Sequence, residues 1–177
     1  MATVKSNDVN GLDLEAMREA FQAIGANEGA RHAPKSSRVR WMKGFKFKAY
    51  IRNHAFDVDE PSHLTGADEA PNAVEYVLGA LGACYATGFV LNASLRGIEV
   101  HNLEVTLEST QDNVFTFLGL GEEGHPGFDG ITAKLYVQAE ANKAVLEDIW
   151  EQTLRTSPVG NSLSRPVPIT PELVVVE

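Results

Sequence analysis

The sequence predicts an α+β fold, and three observations carry this prediction. Apolar and polar residues alternate with the period of a β-strand around 45–51, and again around 103–107 and 131–139. A long apolar stretch over 72–96 has the composition of a buried helix, and it separates the first strand group from the second. An amphipathic helical pattern follows the last strand. This order of strands, long helix, strands and helix is typical of an α+β domain.

Length and charge limit the classes of protein to which the chain can belong. Its 177 residues are enough for one domain with an additional arm. The net charge of -9 argues against partnership with nucleic acid or an anionic membrane, because both bind concentrated basic residues. Cys84 is the single cysteine, which excludes an intramolecular disulfide, and the first residues lack the apolar core of a signal peptide. We expect a cytoplasmic protein.

Residues 1–35 are predicted to form a helical arm, followed by a domain over 36–177. Asp13 is a suitable N-cap for a helix over 14–24, which Gly and Pro residues end between 25 and 34. The apolar residues of this helix share one face: Leu14, Met17, Phe21 and Ile24.

The first strand group begins at Arg38, where the period of the apolar residues changes to two. A strand over 45–51 is predicted to turn at 52–54 and to return over 55–59. Residues 60–71 carry prolines, a glycine and acidic residues, which is typical of a loop.

The long helix is predicted over 72–96, with Gly97 in the position that ends helices. Its length would suit a membrane span. Glu75, Asn92 and Ser94 interrupt it, however, and neither an aromatic belt nor a flanking basic cluster accompanies it. The pattern therefore favours a buried core helix.

The second half predicts further strands over 103–107, 114–118 and 131–139, and a last one over 173–176. Asn142 is expected to cap a helix that Pro158 ends. Its apolar stripe comprises Val145, Leu146, Ile149, Trp150 and Leu154.

Neither a dinucleotide nor a metal site is predicted, and we expect no cofactor. Residues 119–124 match the spacing Gly-x-Gly-x-x-Gly, but Glu122 and Glu123 stand where a pyrophosphate would lie and no helix follows. This segment is predicted to be a turn. The histidines show no metal-ligating spacing: His32, His54, His63, His101 and His125.

Three segments carry a family resemblance: the hairpin over 52–61, the loop and helix over 66–84 that end at Cys84, and Ser157-Pro-Val159 with Ser162-Leu163. Together they resemble the OsmC/Ohr family of thiol peroxidases. The resemblance extends over about 38–169. It implies an OsmC-like fold, with curved antiparallel sheets around a long central helix, and an intertwined homodimer with sites at the dimer interface. Gly79, Ala80, Gly82 and Ala83 would allow close helix approach. We expect the arm helix to cover dimer surface near the site entrance.

The resemblance also implies catalytic roles for Cys84, Arg52 and Glu75. Cys84 would be the thiolate that attacks the peroxide, Arg52 the cation that stabilises it, and Glu75 the carboxylate that orients Arg52. Arg38 and Arg40 are competing cations, and Arg52 also fits a solvated strand end. Glu75 lies on the opposite face of a straight helix, more than about 10 Å along its axis, so it would act across the dimer or through a spanning arginine. Its alternative role is a first-turn carboxylate that favours the helix dipole.

Ser157 stands where many family members carry a second, resolving cysteine. A serine cannot form the disulfide, so a sulfenic acid on Cys84 would need an external thiol reductant. Ser157, Tyr85 and Phe89 are expected to contact substrate, although Ser157 also fits a helix end before proline. Two functions follow: a one-cysteine peroxidase (an antioxidant oxidoreductase of oxidative stress) acting on small organic hydroperoxides, or a non-catalytic dimer that binds a small apolar ligand.

Overall fold

The computed structural model of the chain describes residues 8–176. Its elements, in chain order, are β1 Asp8–Val9, β2 Leu12–Asp13, α1 Leu14–Gly25, β3 Arg38–Lys43, β4 Lys46–Ile51, β5 His54–Val58, α2 Ala73–Leu95, β6 Val100–Gln111, α3 Val114–Phe117, β7 Phe128–Ala139, α4 Lys143–Thr156 and α5 Pro158–Leu163. Short 3-10 turns span Glu28–Arg31 and Ser62–Leu64. Small antiparallel sheets accompany one long helix, which confirms the predicted α+β class.

The arm begins with a hairpin that sequence analysis missed. Asn10 and Gly11 connect β1 to β2, and both have positive φ angles, of 55° and 75°, as a two-residue hairpin turn of the primed type requires. The Asn10 amide donates hydrogen bonds to Ser94 Oγ (2.8 Å) and to the Ile98 carbonyl (2.9 Å). Its Oδ1 accepts one from the Val100 amide (2.8 Å). The arm is therefore attached where α2 ends and β6 begins.

Helix α1 confirms the predicted arm helix. The Asp13 side chain accepts hydrogen bonds from the amides of Glu15 and Ala16, as an N-cap does. Leu14 is buried, whereas Phe21 is 45% and Ile24 57% exposed. The apolar face of α1 is thus only partly covered by the chain itself.

The first strand group forms a sheet of order β3-β4-β5, with Arg52 and Asn53 in the β4–β5 turn. The predicted hairpin is confirmed, with the return strand one residue earlier than expected. Within the chain the sheet contacts the first turn of α2, where Tyr76 packs on Phe56 with ring centroids 4.7 Å apart and donates a hydrogen bond to the Asp57 carbonyl at 2.7 Å. Several of its large side chains are exposed, among them Trp41 at 65%.

Helix α2 begins and ends close to its predicted bounds. Asn72 and Glu75 form a capping box, and Gly97 follows the helix with a φ of +70°. By length and composition α2 is apolar enough to span a membrane, as core helices of globular proteins also are, and only 17% of its most apolar window is buried. The prediction of a buried core helix therefore holds for one face only.

The buried face of α2 packs on the β6–β7 sheet and on α4. Phe89, Ala93 and Ile149 form the centre of this core. Gly82 lets α2 approach the sheet, since a Cβ there would lie 2.7 Å from Leu107 Cδ1. Gly82 therefore serves packing within the chain, whereas Gly79 has open space around it.

Two strand predictions are wrong. The segment predicted as a strand over 114–118 forms the short helix α3 over 114–117, because the Asn113 side chain accepts a hydrogen bond from the Phe115 amide and caps the turn. Residues 173–176 are not paired with any strand in the described part of the chain, and their side chains are 70–87% exposed. The turn over 119–124 has positive φ at Gly119 and Gly124. Pro158 ends α4 as predicted, and it also begins α5.

Candidate functional site

The site is centred on the half-buried Cys84, about three turns after the start of α2. Its Sγ lies 3.1 Å from Ser157 Oγ, within hydrogen-bonding distance. Ser157 is 4% exposed and stands at the corner between α4 and α5. The two residues are 73 positions apart, so the packing of α2 against the two later helices creates the pair.

The corner between α4 and α5 fixes the orientation of Ser157. As the N-cap of α5, Ser157 Oγ accepts a hydrogen bond from the Gly160 amide at 3.0 Å. The Asn161 side chain holds the same corner by donating to the carbonyls of Ser157 (2.8 Å) and Arg155 (3.1 Å). Because the Gly160 amide occupies one lone pair of Oγ, the Ser157 hydroxyl hydrogen is available to donate to Cys84. A thiolate at Cys84 would accept this bond.

A cavity of about 640 Å³ opens beside Cys84. Helix α2, α4 and the corner between α4 and α5 supply its walls, lined by Ala83, Cys84, Thr87, Gly88, Leu91, Asn92, Gln152, Thr153, Thr156, Ser157 and Pro158. The threonine hydroxyls donate to carbonyls of their own helices: Thr87 to Ala83, Thr153 to Ile149 and Thr156 to Gln152, each at 2.8 Å. Their hydrogen-bonding capacity is directed away from a ligand, so the wall is more apolar than its residue types suggest.

Tyr85 and Phe89 lie outside this cavity in the described chain. Phe89 is fully buried in the core beneath α2. Tyr85 packs edge-on against Trp150, with ring centroids 5.3 Å apart, and lines a neighbouring cavity of about 480 Å³. Burial, with a smaller contribution from Cys84, raises the pKa of the Tyr85 phenol, which keeps it a neutral hydroxyl.

The three arginines considered from the sequence do not line the Cys84 cavity within residues 8–176. Arg52 is exposed in the β4–β5 turn, in the left-handed conformation with a φ of 55°. Arg38 lies over the Tyr50 ring, 4.8 Å from its centroid. Sequence analysis missed Arg155, which donates a hydrogen bond to the cavity residue Gln152.

Glu75 is engaged at the start of α2. Its carboxylate accepts a hydrogen bond from the Asn72 amide at 2.8 Å, and its own amide donates to the Asn72 side chain at 2.9 Å. This is the first-turn role that the sequence also allowed. Within the chain the Glu75 carboxylate stabilises the helix that carries Cys84.

Asp59 is a buried carboxylate that sequence analysis did not single out. It is 1% exposed, and it accepts hydrogen bonds from the amides of Glu60, Ala67 and Glu69 at 2.8, 3.4 and 3.3 Å. Burial acts to raise its pKa, but these hydrogen bonds and the charge of Lys46 together hold the pKa below its ordinary value. Asp59 thereby fixes the loop that leads into α2.

The described residues contain no group of three or more His, Cys, Asp or Glu side chains arranged to hold a metal ion.

The sequence profile described as OsmC-like protein matches residues 66–172, which include both Cys84 and Ser157. The chain belongs to the OsmC-like family. A comparison with curated protein sequences found no match. The match to the OsmC-like family begins after Arg52 and does not include the arm.

Solved structures show the same OsmC-like fold at low sequence identity. The OsmC-like protein from Mycoplasma pneumoniae is 14% identical with a TM-score of 0.63, over 75% of this chain and 88% of that one. An organic hydroperoxide resistance protein OsmC from Legionella pneumophila is 16% identical with a TM-score of 0.56, over 74% and 89%. One from Elizabethkingia anophelis is 18% identical with a TM-score of 0.52, over 74% and 88%. These likenesses establish the fold.

Proposed function

We propose that the protein is a thiol-dependent peroxidase that reduces organic hydroperoxides through Cys84. The observation that carries this proposal is the pair of Cys84 Sγ and Ser157 Oγ at 3.1 Å, beside a cavity with mostly apolar walls. The hydroxyl supplies a hydrogen bond to the thiolate, and the cavity favours an apolar peroxide over hydrogen peroxide. Two fold relatives are described as organic hydroperoxide resistance proteins, which agrees with this chemistry.

The reaction begins with attack of the Cys84 thiolate on a peroxide oxygen. An S–O bond forms as the O–O bond breaks, so Cys84 becomes a sulfenic acid and the alkoxide leaves as the alcohol after taking a proton from water. Ser157 cannot condense with the sulfenic acid to form a disulfide. An external thiol attacks the sulfur instead, releasing water and forming a mixed disulfide, and a second thiol molecule restores Cys84 and leaves as the oxidised disulfide. A cytoplasmic setting supplies such thiols.

A homodimer is part of the proposal. Gly79, Ala80 and Ala83 form an exposed stripe of small residues on α2, and several large side chains of the β3–β5 sheet are exposed. A second copy packed on these surfaces would cover the open face of α2. It would also bring Arg52 of the partner subunit toward Cys84, and Glu75 toward that arginine.

The first test is the rate at which Cys84 forms a sulfenic acid, trapped with dimedone and followed by mass spectrometry. Cumene hydroperoxide and hydrogen peroxide are compared on the full chain, with Cys84→Ser as the unreactive control. We expect the organic peroxide to react faster. The Ser157→Ala variant should react more slowly, since the thiolate loses its donor. A Cys84 thiol no faster than free cysteine with either peroxide would refute the proposal.

A non-catalytic dimeric binding protein is the second candidate. The absence of an internal resolving residue at Ser157 favours it, together with the apolar cavity, which is large enough for a small ligand. The same sulfenic acid measurement separates the two, because a binding protein needs no reactive thiol.

A further inference from the structure

A second cavity lies between the arm and α2. Its volume is about 560 Å³, and it is lined by Leu12, Met17 and Phe21 from the arm and by Ala86, Thr87, Val90 and Leu91 from α2. All but one of these side chains are apolar, and the Thr87 hydroxyl is occupied by the Ala83 carbonyl. The arm therefore does not pack fully against α2, and an apolar space remains between them.

This arm cavity shares two lining residues with the cavity at Cys84. Thr87 and Leu91 line both of them. These residues follow Cys84 by three and seven positions, so they lie on the same side of α2 as the thiol. From Cys84 to Leu91 the helix advances about 10 Å. The two cavities thus adjoin along α2, with the thiol at one end and α1 at the other.

The wall that the arm contributes is held in place. Asn10 binds Ser94, Ile98 and Val100 through three hydrogen bonds of 2.8–2.9 Å, and α1 follows directly after this hairpin. The start of α1 is further fixed by the Asp13 cap. Met17 and Phe21 are therefore presented to α2 by an anchored segment.

We propose that the N-terminal arm forms the outer half of the substrate site and selects hydroperoxides with long, straight alkyl chains. The peroxide group lies at Cys84, and the chain extends past Thr87 and Leu91 to contact Met17 and Phe21. This inference rests on the proposed peroxidase function. The two cavities adjoin at Thr87 and Leu91, the walls of both are mostly apolar, and the Thr87 hydroxyl donates its hydrogen to the Ala83 carbonyl. An alkyl chain is therefore the occupant that suits both.

The test compares n-decyl hydroperoxide with tert-butyl hydroperoxide on the full-length protein. The measured quantity is the second-order rate constant for oxidation of Cys84, divided by that for free cysteine. Each fully buried methylene can raise the ratio by about fourfold. We expect a decyl preference of at least about tenfold in the wild type, which the double variant Met17→Ala/Phe21→Ala reduces to about twofold or less. In each protein the rate with tert-butyl hydroperoxide, which is too short to reach Met17 and Phe21, serves as the reference by which the rate with n-decyl hydroperoxide is divided.

Matched variants keep the test specific. Glu19→Ala alters the exposed opposite side of α1 and should preserve the decyl preference. Met17→Gln keeps the side-chain size but makes the wall polar, so it should lower the preference even if the double variant unfolds.

Two results would overturn the inference while the peroxidase function stands. One is an equal response to both peroxides in the wild type. The other is a decyl preference that the double variant retains. If that variant has also become monomeric, the result means that a second copy of the chain, and not an alkyl chain, covers the arm cavity. If Cys84 reacts with both peroxides no faster than free cysteine does, the peroxidase function itself is refuted.

Discussion

Ser157 Oγ lies 3.1 Å from Cys84 Sγ, while the Gly160 amide donates to the same oxygen at 3.0 Å. Ser157 thereby joins two roles, since it caps α5 and faces the thiol. At the position where the family resemblance implies a resolving cysteine, this chain places a serine hydroxyl against the thiol.

Replacing Ser157 with cysteine should therefore supply an internal resolving thiol. We expect Ser157→Cys, treated with one equivalent of cumene hydroperoxide, to form an intramolecular disulfide with Cys84, because the two side chains already face each other. Mass spectrometry of the unreduced protein would show the loss of two hydrogens. Ser157→Ala, treated identically, should retain a trappable sulfenic acid. A Ser157→Cys protein that also remains sulfenylated would contradict the geometry.

The cation that assists Cys84 can be identified by comparing two arginines. If the partner subunit's Arg52 stabilises the thiolate, Arg52→Ala should slow oxidation of Cys84 by at least about tenfold, the effect of losing a nearby opposite charge. Arg155→Ala removes the cation bound to Gln152 and should slow it less. Stopped-flow measurements of Cys84 oxidation in the two variants decide the assignment. If Arg155→Ala is the slower variant, the role belongs to Arg155.

The exposed stripe on α2 predicts a dimer that a single charge disrupts. Ala80 is exposed, so Ala80→Arg should leave the fold of the chain intact but place a bulky charge between the two helices. Sedimentation should show a dimer for the wild type and a monomer for this variant. Ala23→Arg, on the exposed surface of α1, is the control that should remain dimeric. A monomeric wild type would refute the dimer.

Asp59 predicts how stability depends on pH. Its folded pKa is held below the unfolded value, so its contribution to stability is fully present above the unfolded pKa of about 3.9 and is lost as the pH falls through the folded value. Urea unfolding should show a smaller loss of stability from pH 7 to pH 3 in Asp59→Asn than in the wild type. Asp57→Asn removes a partly exposed carboxylate that pairs with Lys48 and adds to the negative charge around Lys46. This variant is the control and should lose stability nearly as the wild type does.

A side chain at position 88 should create a packing defect in the wall of the Cys84 cavity. A Cβ at this position would lie 2.9 Å from the Cγ2 of Thr153, which is fully buried. Gly88→Ala should lower the free energy of unfolding by about 1 kcal/mol, the overpacking cost less the gain in helix propensity. Adding Thr153→Ser removes Cγ2 and should restore part of the loss. Additive effects in this double-mutant cycle would contradict the contact.

Local signals predicted the helices well. Asp13 and Asn142 act within one turn of their own positions, so their caps were predicted from sequence alone, whereas the capping box of Asn72 and Glu75 was not. The apolar segment 114–118 was misassigned because Asn113 caps it and Asp112 binds the His125 amide across the loop, contacts that periodicity does not reveal. The Asn10-Gly11 turn was a readable hairpin signal that was overlooked.

The candidate site could be predicted only in part. The resemblance identified Cys84 and Ser157, and the structure brings them together. The walls of the cavity could not be read from the sequence, since Gln152, Thr153 and Thr156 face Cys84 only after α4 packs on α2. Phe89 belongs to the core because the face of α2 that carries it is determined by contact with Ile149 and Ala93.

The hydrogen bond between Asn10 and Val100 makes one backbone amide a reporter of whether the arm is docked. The Val100 amide at the start of β6 donates to the Asn10 side chain, a group 90 positions earlier in the chain. The protection of the Val100 amide from hydrogen exchange thus depends on whether the arm is docked. The protection of the other amides within β6 depends instead on the hydrogen bonds of the sheet. The exchange rate of a single backbone amide can therefore measure how often the N-terminal segment detaches, without any label or substitution.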